Sequence, residues 1–170
     1  MTFWQSAISS SLGAFIGFIG ALIIFFLKEK RKTQIEDTAT VQNLKMELNY
    51  NLTLYDKYEH NVQECIEGLS HEKKGPYLKL DYNFIGTFFA KQFYRRGLLL
   101  KYFHSEDMRR WNIMLNQISE GSEKYVTDCV DQWRKGEDIP QETVDSALKL
   151  EKDHLNYAKK MTKYILKSLQ

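Results

Sequence analysis

The 170-residue sequence predicts an all-α fold, a single N-terminal transmembrane helix followed by a cytosolic helical bundle, and three observations carry that expectation. No Asp, Glu, Lys or Arg occurs before Lys28, and Ala7 to Leu27 supplies twenty-one mostly apolar residues. At ~1.5 Å per residue, a run of that length crosses a hydrocarbon core of ~30 Å. After it, only Pro76 and Pro140 interrupt the chain, and Val, Ile and Thr do not gather in the alternating runs that strands need. Apolar residues recur instead at steps of three, four and seven.

The anchor comes first, over residues 1–32. Lys28-Glu29-Lys30-Arg31-Lys32 follows the span directly, whereas the six residues before it carry no charged side chain. Cationic flanks stay on the cytoplasmic side, so a single-pass protein of the inner membrane is expected, with its N terminus outside and residues 33–170 inside. A cleaved leader would begin with a charged region and close on small residues, whereas this run ends in Leu27-Lys28. Within the span Ser6, Ser10, Gly13, Gly17 and Gly20 fall three or four apart. Such a face lets helices approach closely in lipid, which places Gly13, Gly17 and Gly20 at an interface between anchors. The competing reading is that glycine is simply commoner in membrane helices.

The remaining 138 residues fit one domain. Val41, Leu44, Leu48, Leu52, Tyr55, Val62, Ile66 and Leu69 predict a long amphipathic helix from about Thr38 to Leu69. A loop is expected over Gly68 to Pro76, and Asp81 then caps a second helix whose early residues include Phe84, Ile85, Phe88 and Phe89. Gly97 breaks it. Ser105 caps a third helix running to about Trp133, with Trp111 among the residues available for its buried face, and Gly136 ends it. Asp138 and Pro140 open a last helix to about Leu169, with Val144, Leu148, Leu155, Ala158, Met161, Ile165 and Leu169 facing inward.

Charge is unevenly spread although the formal total is only +2. Residues 82–105 carry four cations and no acid, interleaved with aromatics. Lys91 and Arg95 share a helix face, with Tyr94 on its edge. Guanidinium groups bind phosphates bidentately and tyrosine or histidine rings stack on bases, so this is the composition of a site for a small phosphorylated ligand or a single strand of nucleic acid. Two other readings stay open. Phe84, Phe88, Phe89, Phe93, Leu98, Leu99 and Phe103 are core residues in the simplest account, with Lys91, Arg95, Arg96 and Lys101 pairing with acids such as Glu47, Asp56 and Glu59. Attraction to anionic lipid is the third. Glu47 and Asn51, one turn apart beside the apolar stripe, are expected to cap or cross-link helices, with ligand contact the lesser alternative.

Signals for catalysis are lacking: there is no H-E-x-x-H, P-loop or G-x-S-x-G, and no metal-ligand spacing among His60, His71, His104 and His154. No helical-ribonuclease pairing of arginine and histidine occurs either, since seven residues separate Arg96 from His104. The expectation is a non-enzyme without cofactor or metal. Cys65 and Cys129 are distant and outside any C-x-x-C, which suits buried thiols in a reducing compartment.

An N-terminal anchor, a basic juxtamembrane run and a small helical domain bearing the segment Lys91 to His104 resemble the membrane effectors of type III CRISPR antiviral systems that sense cyclic oligoadenylate. The resemblance implies that Lys91, Arg95, Arg96 and Lys101 hold phosphates and that Tyr94, Tyr102 or His104 contact adenine. It further implies a homo-oligomer, with a tetramer suiting cyclic tetra-adenylate, anchors that rearrange to perturb the membrane, and no DNA partner. The alternatives are a non-catalytic anchor or scaffold that holds a protein partner, and a toxin-like membrane disruptor needing no signal.

Overall fold

The computed structural model describes residues 3–69 and 77–169, with side chains from Phe15 onward except residue 16. Every regular element among them is helical. Contacts divide the chain into two units, Met1–Thr40 and Val41–Gln170. The first helix, α1, runs Phe3–Leu69 and so contributes to both.

In the first unit, the expected contacts of Gly13 lie outside the described residues, and a Cβ placed on Gly17 or Gly20 would meet nothing within 4 Å. Large apolar side chains at Phe15, Phe18, Ile19 and from Leu22 to Leu27 are 38–64 % exposed. Among the described residues no helix is long and apolar enough to cross a membrane. The expected span over residues 7–27 falls partly on positions 7–14 and 16, whose side chains lie outside the described residues.

The second unit is built on two long antiparallel helices. On α1 the expected stripe is buried at Val41, Leu44, Leu48, Tyr55, Val62 and Leu69, with Leu52 and Ile66 packed at its margin. The last helix, α6, spans Gln141–Ser168 and buries all seven residues expected of it or of its C-cap. Register between the two is read from their polar pairs. Lys159 Nζ lies 2.6 Å from Asp56 and from Glu59, Lys152 donates to Gln63 (2.7 Å), and Gln141 donates to the Leu69 carbonyl (3.1 Å). Numbers rise on one helix as they fall on the other, which fixes the antiparallel sense.

Between them the chain forms short helices. The expected loop starts later than Gly68, because Gly68 and Leu69 still belong to α1, and residues 70–76 lie outside the described residues. Asp81 caps not an α-helix but one 3-10 turn, Tyr82–Phe84, accepting from the Asn83 N–H (3.1 Å). The helix proper, α2, is Phe88–Arg95. This later start corrects two residues assigned to the core: Phe84 and Phe88 are each 62 % exposed, while Ala90 and Phe93 turn inward. Gly97, at φ 69°, ends α2 as expected. Its N–H bonds the Tyr94 carbonyl (2.9 Å) and that of Leu98 bonds the Phe93 carbonyl (3.2 Å), a Schellman closure that packs Leu98 into the core beside Phe93. One further turn, α3 (Leu99–Tyr102), leads to α4 (Ser105–Gln117).

The expected third helix is two. α4 stops at Gln117 and α5 occupies Lys124–Lys135, both packed on α6. Ser119-Glu120-Gly121-Ser122 makes the break, with Gly121 at φ 82°. The Ser122 hydroxyl donates to the carbonyls of Gln117 and Ser119 (2.8 Å each) and that of Ser119 to Asn116 (3.0 Å), satisfying carbonyls that a helix end leaves orphaned. Gly136, at φ 76°, closes α5 with a second Schellman pair, Gly136 N–H to Trp133 and Glu137 N–H to Gln132 (3.1 Å each). Both cysteines are buried and unbridged, and burial pushes the Cys65 thiol up to about 11, which keeps it protonated at neutral pH.

Candidate functional site

The residues that position α2 lie on α1. An eight-residue helix is too short to hold itself in water, and Thr87 at its N-cap makes no side-chain bond. The missing cap comes from Glu47, whose carboxylate accepts the N–H groups of Phe89 (2.8 Å) and Ala90 (3.0 Å). One turn on, Asn51 accepts from the Gly86 N–H and donates to the Gly86 carbonyl, both at 2.8 Å. The expectation that Glu47 and Asn51 tie helices together is met. Gly86 is needed for closeness: a Cβ there would stand 2.8 Å from Glu47 Cγ and 3.4 Å from Asn51 Oδ1.

Held this way, α2 presents Lys91, Tyr94 and Arg95 to a cleft of about 690 Å³. The size lies within the ~300–1,000 Å³ usual for small-molecule sites. Its other long side is α4, through Met108, Trp111, Asn112 and Leu115. Tyr82, Ile85, Leu99 and Ile118 add further lining, and Asn83, Ser119 and Glu120 also border it. The alternative in which Lys91 and Arg95 pair with Glu47, Asp56 or Glu59 is corrected here. Glu47 is engaged by the backbone of α2, while Asp56 and Glu59 bind Lys159. Lys91 and Arg95 have no carboxylate partner among the described residues. Among the described residues that line the cleft, Glu120 is the one acid, against the two positive charges of Lys91 and Arg95.

The other sequence candidates go elsewhere. Arg96 and Lys101 are exposed and do not line the cleft, and Lys101 Nζ sits 5.7 Å from the Tyr102 ring. Tyr102 packs on Phe93, with centroids 5.7 Å apart. His104 is the N-cap of α4, its N–H donating to Asp107 Oδ2 (3.3 Å) and its carbonyl accepting from Met108 (3.1 Å). Trp111 and Asn112 were missed in this role, because the sequence marks Trp111 only as core and gives Asn112 no signal at all.

No protein-family model, curated protein or solved structure matches this chain. Its chemistry is therefore read from the side chains alone. The cleft joins two unpaired cations and a phenol on α2 to an apolar wall on α4, an arrangement suited to a ligand with an anionic end and a flat, apolar body.

Beside the cleft lies a buried polar cluster. The Tyr82 hydroxyl donates to Glu151 Oε1, and His154 Nδ1 is 3.5 Å from Glu151 Oε2. Tyr58 stacks at 5.5 Å on Tyr82 and donates to the Asp81 carbonyl (2.5 Å). Loss of water around Glu151 raises its pKa, outweighing the bond from Tyr82 and the proximity of His154, and nearby Glu123 pushes the same way. The Tyr82 hydroxyl is raised as well, first by burial and then by the Glu151 charge. Among the described residues no group of three or more His, Cys, Asp or Glu stands where a metal would bind.

Proposed function

We propose that the chain is a membrane-anchored sensor whose helical domain takes up a cyclic oligoadenylate in the α2/α4 cleft. The observation that carries the reading is the cleft itself, with Lys91 and Arg95 unpaired beside Tyr94. The N-terminal helix lies in the inner membrane with its end outside and the domain in the cytoplasm. Exposed apolar side chains at Phe15, Phe18, Ile19 and from Leu22 to Leu27 cover that helix, as lipid requires and water disfavours. A cleft of about 690 Å³ has the room of one drug-sized ligand, so a ring of four nucleotides is shared by a homotetramer, one repeat per subunit. The ligand shifts the anchors toward a membrane-perturbing arrangement only as far as it binds that arrangement better. No catalysis, metal or cofactor enters the reading.

The test is calorimetric titration of the full-length protein in lipid nanodiscs with cyclic oligoadenylates and cyclic dinucleotides, beside Lys91→Ala, Arg95→Ala. Both cations are exposed, so the variant keeps its helical spectrum and melting point. Each lost charge-assisted bond is worth ~1.5–3 kcal/mol, which predicts at least about a hundredfold weaker binding. Absence of binding to every ring by the native protein would favour the second reading, an anchor for a protein partner. The exposed Phe84 and Phe88 rings support that alternative.

A further inference from the structure

The α4 wall holds one polar side chain inside an apolar stripe. Met108, Trp111 and Leu115 repeat at three and four residues, and Asn112 stands four after Met108 and three before Leu115. Among the described residues its amide has no hydrogen-bonding partner. Next to it Trp111, only 4 % exposed, keeps a buried Nε1–H that also lacks an acceptor. Apolar pockets owe their selectivity to a few polar groups placed as Asn112 is.

We infer that Asn112 is a specificity-determining residue that reads the base of the nucleotide whose phosphate Lys91 and Arg95 hold. The inference rests on the nucleotide reading of the cleft. A side-chain amide sets a donor beside an acceptor. Adenine matches that pair on its N6/N7 edge, the amino group donating and N7 accepting, whereas hypoxanthine presents two acceptors there, O6 and N7, and loses one of the two bonds however the amide is turned. The Trp111 indole borders the apolar seat for the base, with its Nε1–H turned away from solvent.

Asn112 is exposed, so its replacement leaves the core untouched. The experiment titrates the full-length protein in nanodiscs with cyclic tetra-adenylate and with the same ring built from inosine, for the native chain, Asn112→Ala and Asn83→Ala. The native protein should prefer adenylate by about 5- to 150-fold, the worth of one bidentate base contact. Asn112→Ala should bring the two rings within about threefold of each other while Asn83→Ala, at a different edge of the cleft, keeps the preference. A native preference that survives Asn112→Ala overturns the inference and leaves the nucleotide reading standing, as does equal native binding of both rings. Binding of neither ring by the native protein overturns the reading itself and the inference with it.

Discussion

Glu151 is the residue whose surroundings depart most from those of a surface carboxylate. It is buried on α6 against Tyr82, with Glu123 and His154 the other titratable groups that act on it. Burial favours the protonated form, so the folded chain holds this proton more tightly than the unfolded chain does. The stability contributed is therefore complete below the ordinary glutamate value of ~4.3 and is lost as pH rises through the raised folded value. Glu151→Gln keeps an acceptor for the Tyr82 hydroxyl and removes the titration. Melting points measured from pH 4 to pH 8 should show the variant gaining on the native protein as pH increases. A constant offset across that range would mean that the fold holds the Glu151 proton no more tightly than the unfolded chain does.

At the scale of elements, α2 depends on its neighbour. Asn51→Ala strips two bonds from Gly86 and should cost ~1–3 kcal/mol, and Glu47→Ala should cost ~1 kcal/mol through the lost cap. Gly86→Ala pushes into the Glu47 side chain, so combining it with Glu47→Ala should cost less than the sum of the two. Thermal melts check this, and an Asn51→Ala variant as stable as the native protein would remove the clamp from the account. These same residues explain what the sequence disclosed. Periodicity identified the buried stripes of α1 and α6, because a long helix repeats its signal many times. It misplaced Phe84 and Phe88, because an extended stretch before α2 changes the phase of a helix too short to signal its own start. Ser119 to Ser122 is a turn signature that the apolar pattern on either side outweighed. Lys91, Tyr94 and Arg95 were legible as a set from their spacing. Their partnership with Trp111 and Asn112 was not, because it joins separate helices, just as the bonds from Glu47 and Asn51 to α2 span 35 to 43 residues.

For the molecule as a whole, the decisive question is whether the apolar helix before Lys28 enters lipid. Full-length protein expressed in bacteria should sediment with membranes and resist alkaline carbonate. Phe18→Lys combined with Ile23→Lys puts two charges into the proposed span at ~2.5–3.5 kcal/mol each and should release the chain to the supernatant. Native protein found in the supernatant would overturn the anchor. The clamp of Glu47 and Asn51 has a consequence of another kind. The amide hydrogens of Gly86, Phe89 and Ala90 take their acceptors from α1, so in heavy water they should exchange at the pace at which that stretch of α1 lets go. Three deuterons acquired together would then act as a clock on a helix to which they do not belong.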